Sequence, residues 1–430
     1  MTEAFLHYIW KFRLFCKPLF TTEGEPLTIL SPGIHNHHSG PDFSDARLRI
    51  GDTLWAGNVE IHILSSDFNR HGHHNDASYD SIVLHAVYTD DAPLRGTRIP
   101  VVQLSGFMDP GLFNGYKRFV DSQLWVPCIN SLRDLPAHLL HLWLERMLIE
   151  RLEQKAENIR GFLAAGNNDW EEAFYLTLAR SFGFGVNALP FEMLARSLPY
   201  RIVARHLDNP FRVEALVFGQ AGMLTHDLCD PWAQELFSEY AFLRKKYHLV
   251  PVPVHTWRFL RLRPVNFPTI RLSQFAALLT RSPRLAGNLT VHQSPGEIIA
   301  HFEDVRASAY WDTRYTFDKP APFREKYLGT DAARLLMINA VLPFMFEYGR
   351  AFGNDELCSR TLDLYNSIPG ERNACISNWE VGGMRVDTAF YTQALLLMKT
   401  EYCDRKRCLD CRIGNHLLSG ETAGTGLEQD

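Results

Sequence analysis

Gly40 to Leu64 reads GPDFSDARLRIGDTLWAGNVEIHIL, and this stretch decides how the N-terminal part of the chain is built. From Ala46 apolar and basic residues alternate: Ala46, Leu48 and Ile50 against Arg47 and Arg49. Gly51-Asp52 is a turn signal, and Thr53 to Leu64 resumes an extended pattern. Alternation around a short polar turn predicts a β-hairpin. Within Val59-Glu60-Ile61-His62-Ile63 successive side chains take opposite faces, so Val59, Ile61 and Ile63 share one side and Glu60 and His62 the other. Ser81 to Tyr88 is a further apolar run with His85 in its middle, and pairing with the preceding strand would turn His85 toward Glu60 and His62.

A carboxylate and imidazoles on one side of a strand suit a divalent cation. Mg²⁺ prefers oxygen donors, whereas imidazole suits Zn²⁺ and Mn²⁺. Asp42, on the segment entering the hairpin, is the expected partner of Glu60. Of 18 histidines, nine precede residue 86: His7, His35, His37, His38, His62, His71, His73, His74 and His85. This bias points to an imidazole-lined metal or phosphodiester site, the alternative being two polar surface loops around a buried His85. Asp42 as a turn residue and Glu60 on a solvated sheet face are the corresponding alternatives for the acidic pair.

Pro41-Asp42, a gap holding a hairpin, then Glu60-Ile61-His62 resembles the PD-(D/E)xK nuclease superfamily. The resemblance implies a restriction-endonuclease-like mixed sheet flanked by helices, with Asp42 and Glu60 holding Mg²⁺ or Mn²⁺ and Glu3, on the first helix, assisting. That superfamily carries Lys two residues after the Glu to help activate water. Here His62 stands in its place, a group able to act as base or ligand near neutral pH. His71, His73 or His85 would then protonate the leaving oxygen or bind phosphate. A second resemblance spans nearly the whole chain. Gly40-Pro41-Asp42-Phe43, Val59 to His62, Phe218 to Gly222, Arg261 to Pro268 and Cys403-x4-Cys408-x2-Cys411 resemble an uncharacterised bacterial domain-of-unknown-function family, twenty-eight fifty-one, which implies no activity.

The 430 residues are 46% hydrophobic and 22% charged, with a formal net charge of −5. That is the balance of a soluble chain of two or three domains, and any nucleic-acid surface must be a local patch. The N-terminal 20 residues read as an amphipathic helix, not a signal peptide, and no long apolar run predicts a membrane span. The 8 cysteines are mostly scattered, which suits a reduced, cytoplasmic protein. No Walker, dinucleotide or serine-elbow motif occurs, which disfavours an ATPase, a dehydrogenase or a serine hydrolase.

The expected fold is α+β, with a nuclease-like unit over 1–126, a larger helical domain over 127–418, and a disordered tail over 419–430. Leu135 to Ala164 is the most strongly periodic helix. Cys403-x4-Cys408-x2-Cys411, with His416 five residues on, has spacing suited to Zn²⁺ or an iron–sulfur cluster, with Cys375 as a distant fourth thiolate in the cluster case. The alternative is a metal-free helix end. Arg258, Arg261, Arg263 and Arg271, among Trp257, Phe259 and Phe267, suit a nucleic-acid backbone or, alternatively, ion pairs with acidic helices. The expected function is a metal-dependent phosphodiesterase or nuclease. The alternatives are an inactive nuclease-like fold that binds nucleic acid or protein, and a His-rich zinc hydrolase.

Overall fold

The computed structural model describes residues 1–36, 40–71, 77–94, 99–281 and 294–424. Helix α1 (Glu3–Phe12) opens at Thr2, whose hydroxyl accepts the Phe5 N–H at 3.3 Å, and ends at Arg13 in the left-handed conformation. Its buried side carries Phe5, Leu6, Ile9 and Trp10. Trp10 also donates its indole N–H to the Pro32 carbonyl at 3.0 Å, so its polar edge is satisfied.

The strands are β1 (Leu19–Phe20), β2 (Pro26–Ser31), β3 (Ile34–His35), β4 (Phe43–Ile50), β5 (Thr53–Leu64), β6 (Ile82–Thr89) and β7 (Val101–Gln103). Among the described residues they form one sheet in the order β1-β2-β4-β5-β6-β7, with β3 beside β4. The predicted hairpin is β4–β5, antiparallel, turning between Ile50 and Thr53. β6 runs parallel to β5, as β7 does to β6, which gives the mixed sheet that was expected. Apolar periodicity marks a buried strand but not its direction. The segment from Ser65 to Ser81, with the short helix α2 (Asp67–Arg70), is long enough to return the chain to the starting end of β5. The sheet is therefore mixed. The strand expected at Arg98 to Leu104 is β7, and Arg98 lies outside the described residues.

One sheet face holds the core. Val59, Ile61, Leu84, Ala86 and Val102 pack with Phe5, Ile9 and Trp10 of α1 and with Leu112 of α3 (Pro110–Asp121). α3 starts as predicted, with Asp109 capping the Gly111 N–H at 2.7 Å and Pro110 in the first turn. Leu418, near the other end of the chain, sits in the same core.

From α4 (Ala137–Ala165) the chain is mostly helical, including Trp170–Phe182, Pro210–Gln220, Pro231–Tyr247, Pro268–Arg281 and Asp355–Ser367. Two ionisable groups, the buried Glu214 and the half-buried Lys155, are satisfied internally. Glu214 accepts from Ser273 Oγ (2.7 Å), Ser308 Oγ (2.9 Å) and Trp311 Nε1 (3.0 Å), and burial raises its carboxyl. Lys155 donates to Gln393 Oε1 (2.7 Å) and Asn339 Oδ1 (2.9 Å), and burial brings its ammonium down to about 7. Networks with every member bonded fix a helix register without leaving an orphaned polar group.

Two compact units result. One joins Met1–Trp143 with the chain from Met398 onward, and the other is Leu144–Leu397. The sequence reading instead put the boundary at residue 126 and the cysteine triplet in the helical domain. The returning C-terminal helix (Arg412–Gly424), docked through Leu418, is the physical reason for the difference. Of the expected disordered tail, Ser419 to Gly424 continue that helix and 425–430 lie outside the described residues. No helix among the described residues is long and apolar enough to cross a membrane. Trp10→Ala should cost ~3–5 kcal/mol of unfolding free energy, read by urea denaturation. A loss below ~1 kcal/mol would contradict the packing of α1 as the core helix of the sheet.

Candidate functional site

The site forms where β4 begins beside the middle of β5. Gly40, at φ 101, takes a backbone conformation that other residues rarely adopt and directs Pro41-Asp42 into the strand. The pairing register shifts between Phe43 and Ala46, with Asp45 at φ 57. A bulge of this kind twists the strand end and re-aims its side chains. Asp42 thereby lies across Glu60 and Ile61. Its N–H donates to Glu60 Oε2 at 3.1 Å, and its own Oδ2 accepts the Ile61 N–H at 2.9 Å. The two predicted carboxylates thus share one place, held by reciprocal backbone bonds.

Histidines surround the pair. His7 of α1 puts Nε2 3.3 Å from Asp42 Oδ2, and His62 Nε2 lies 3.6 Å from Glu60 Oε1. His62 Nδ1 is 2.9 Å from His85 Nε2, and its Nε2 is 3.3 Å from His71 Nδ1, so three imidazoles form a chain. Phe68 of α2 packs against His62 and His85, with ring centroids 6.4 and 5.1 Å away. Glu60, His62 and His85 are buried, at 4%, 3% and 0% exposure, while Asp42 and His7 form the more exposed rim.

Electrostatics split the acidic pair. Burial, with the Asp42 carboxylate beside it and Glu3 adding to the repulsion, pushes the Glu60 carboxyl up to about 8. Burial also acts to raise Asp42, but His7, the Ile61 N–H and His62 outweigh it and hold that carboxyl below the usual range. Without a cation the pair therefore carries one proton near neutral pH, on Glu60. Glu3 is accordingly within electrostatic reach of the pair, as expected from its place on the first helix.

Asp42, Glu60, His62, His85, His71 and Glu3 are brought together. His73 lies outside the described residues, as do His37, His38 and His74. His7, one of the histidines of the expected imidazole-lined site but not one of its expected catalytic residues, stands four residues from Glu3 on one face of α1. The two carboxylates offer the hard oxygens that Mg²⁺ or Mn²⁺ prefers. Among the described residues, however, no group of three or more His, Cys, Asp or Glu side chains already stands at coordination spacing.

The other predicted sites separate. Arg258, Arg261 and Arg263 are exposed in the helical unit. Arg271 is not part of such a strip: it is 9% exposed and bonds Gln274 Oε1 (2.9 Å) and Asn266 Oδ1 (2.7 Å). Its guanidinium lies 4.5 Å from the Phe184 ring centroid, at the wall of a cavity of about 800 Å³. The Cys403, Cys408 and Cys411 thiols interact with one another and with Cys128, which the sequence reading had counted as scattered. Burial and this mutual repulsion push Cys128 up to about 12 and Cys408 up to about 11. His416 is half-buried on the C-terminal helix. Cys375 falls in the other unit.

Glu60 makes stability pH-dependent. Its folded carboxyl lies above the unfolded value of 4.5, so its favourable contribution is complete below about pH 4.5 and is lost as pH rises toward 8. Asp42, held low, acts in the opposite sense, below its unfolded value of 3.8 and outside that window. Metal-free wild type should therefore lose on the order of 3 kcal/mol relative to Glu60→Gln between pH 4.5 and 8, read by urea unfolding. Parallel pH profiles for the two proteins would contradict the burial of Glu60 beside Asp42.

No curated protein and no solved structure matches the chain. One family model does, over residues 3–374, so the match takes in the whole acidic and imidazole site and Cys128 but stops short of Cys403. With that coverage, the chain belongs to the family described as "Protein of unknown function (DUF2851)".

Proposed function

We propose that the N-terminal unit is a metal-dependent phosphodiesterase acting on nucleic acid, with Asp42 and Glu60 holding the cation. One observation carries this reading: two carboxylates distant in sequence are interlocked through each other's backbone, with a histidine beside each. An acidic pair this close, with Glu60 buried and Asp42 half-buried, is unfavourable unless one member takes a proton or a cation replaces it. Mg²⁺ or Mn²⁺ bound there would lower the pKa of a bound water and offset charge on the scissile phosphate.

The side chains divide the remaining work. Asp42 stays ionised and is ready to ligate, while Glu60 gives up its proton to do so. His62 accepts a proton from the attacking water, and His85 holds the His62 ring through the other nitrogen. His71, at the exposed end of the imidazole chain, returns a proton to the leaving oxygen. Glu3 adds negative potential from the start of α1. The exposed Arg258, Arg261 and Arg263 of the helical unit are proposed as a separate phosphate-backbone contact. The mixed sheet flanked by helices and the resemblance to the PD-(D/E)xK superfamily both favour nucleic acid as the substrate class. The run of His71, His62 and His85 favours one second reading, a zinc hydrolase in which imidazoles ligate the metal.

The test is cleavage of single- and double-stranded DNA and RNA with Mg²⁺ or Mn²⁺ by wild type, Asp42→Asn and Glu60→Gln, each checked for a wild-type-like melt. Wild type should cleave only with metal, and each variant should lose at least ~100-fold. Activity retained in both variants overturns the assignment of the pair. Wild type that binds nucleic acid but never cleaves leaves a binding module in place of an enzyme. Cleavage supported by Zn²⁺ alone selects the second reading.

A further inference from the structure

Two chain segments far apart in sequence are clamped together at the end of α3. Lys406, in a left-handed turn at φ 53, donates its ammonium to the Phe119 carbonyl at 3.5 Å and to that of Ser122. The Lys399 ammonium lies 5.0 Å from the Trp125 ring centroid and pairs with Asp404. Tyr402 meets Trp143 edge-on at 5.3 Å and is covered by Arg407 at 4.8 Å. None of these contacts involves a cysteine, yet together they carry Cys128 into interaction range of Cys403, Cys408 and Cys411.

The cysteine loop itself is tightly formed. Cys403 closes a π-helical turn (Met398–Cys403), and such turns are enriched at functional sites. The Cys411 N–H donates to the Cys408 carbonyl at 3.3 Å, which closes the turn between them. A Cβ on Gly414 would stand 2.1 Å from the Cys408 carbonyl oxygen, so only glycine lets the C-terminal helix begin this close. The N–H groups of Ile413 and Gly414 both point at the Cys411 sulfur. A neutral thiol is a weak acceptor, whereas a metal-bound thiolate is stabilised by such donors. All four cysteines are free thiols, and Cys408 and Cys411 are buried.

We propose that Cys128, Cys403, Cys408 and Cys411 form a four-thiolate centre for a thiophilic metal, Zn²⁺ or an iron–sulfur cluster, with Cys128 in place of His416 as the fourth ligand. Four thiolates around Zn²⁺ carry a net charge of −2, and the ammonium groups of Lys399 and Lys406 stand where they offset it. Zinc binding releases the thiol protons to solvent and transfers no electrons. Among the described residues the thiols do not stand at coordination spacing, so holding a metal would require them to move closer together. The metal then pins the returning end of the chain to the unit that carries the acidic pair.

The full-length protein tests this when purified without oxygen and chelator and analysed for metal per chain. Wild type, His416→Ala and the control Cys358→Ser should retain equal metal, and Cys128→Ser should lose at least ~10-fold. Zinc gives a colourless protein and an iron–sulfur cluster a visible charge-transfer absorption, and either supports the proposal. In case Cys128→Ser fails to fold, stripped wild type titrated with Co²⁺ gives a second readout. Thiolate-to-cobalt absorption should saturate at one ion per chain and protect four thiols from alkylation. Wild type with neither native metal nor that absorption overturns the proposal. So does metal that survives Cys128→Ser but is lost in His416→Ala.

Discussion

The reciprocal hold between Asp42 and Glu60 is the constraint on which the rest of the N-terminal unit depends. Each residue's backbone region satisfies the other's carboxylate, so neither can move without breaking two bonds. The bulge at the start of β4 exists in the register that makes this possible, and Gly40 sets up the entry to it. The core on the opposite face, built from Val59, Ile61 and α1, holds β5 rigid so that Glu60 and His62 keep their direction. Carboxylates placed this way are costly to bury. The protein meets that cost by leaving a proton on Glu60 and by surrounding Asp42 with His7, His62 and a backbone N–H. A pair whose ionisation is split in this manner is a natural place for a cation, because the cation does the proton's work with two charges.

Much of this was legible in sequence because β-strands impose a strict period of two. The alternation of Val59, Ile61 and Ile63 against Glu60 and His62 fixes which residues face the core, and the structure follows it. The turn at Gly51-Asp52 and the Asp109-Pro110 helix start are equally local signals. The direction of β6 was not legible, since a buried strand reads the same either way. The bulge between Phe43 and Ala46 leaves no periodic trace either. His7 was within reach, being one helical turn from Glu3, but nothing local marks it as a partner of Asp42. The basic segment shows the limit of composition. Arg271 reads like its neighbours, yet its helix turns it into a buried network with Asn266, Gln274 and Phe184.

Cys128 is the clearest case of information that only tertiary structure supplies. Its local sequence, Val126-Pro127-Cys128-Ile129, has no ligand spacing. It acquires meaning because the last helix packs Leu418 into the core built around α1 and so returns the triplet to the N-terminal unit. The compact units differ from the expected division at residue 126 for the same reason: a linear reading cannot see a terminus that folds back. The acidic pair and the thiols thus belong to one compact unit, with the helical stretch from Leu144 to Leu397 inserted between its parts. Asp42 and Glu60 offer hard oxygen donors, whereas Cys128 and the triplet offer soft sulfur donors, and the two kinds of donor prefer different metals.

Whether Asp42 and Glu60 share one divalent cation is read by anomalous scattering from crystals of the protein soaked in Mn²⁺ above pH 8, where Glu60 is ionised. A shared cation gives a single strong peak in the N-terminal unit, ligated by an oxygen from each of the two carboxylates. No peak there, or one bound by His62, His71 and His85 with neither carboxylate, would contradict it.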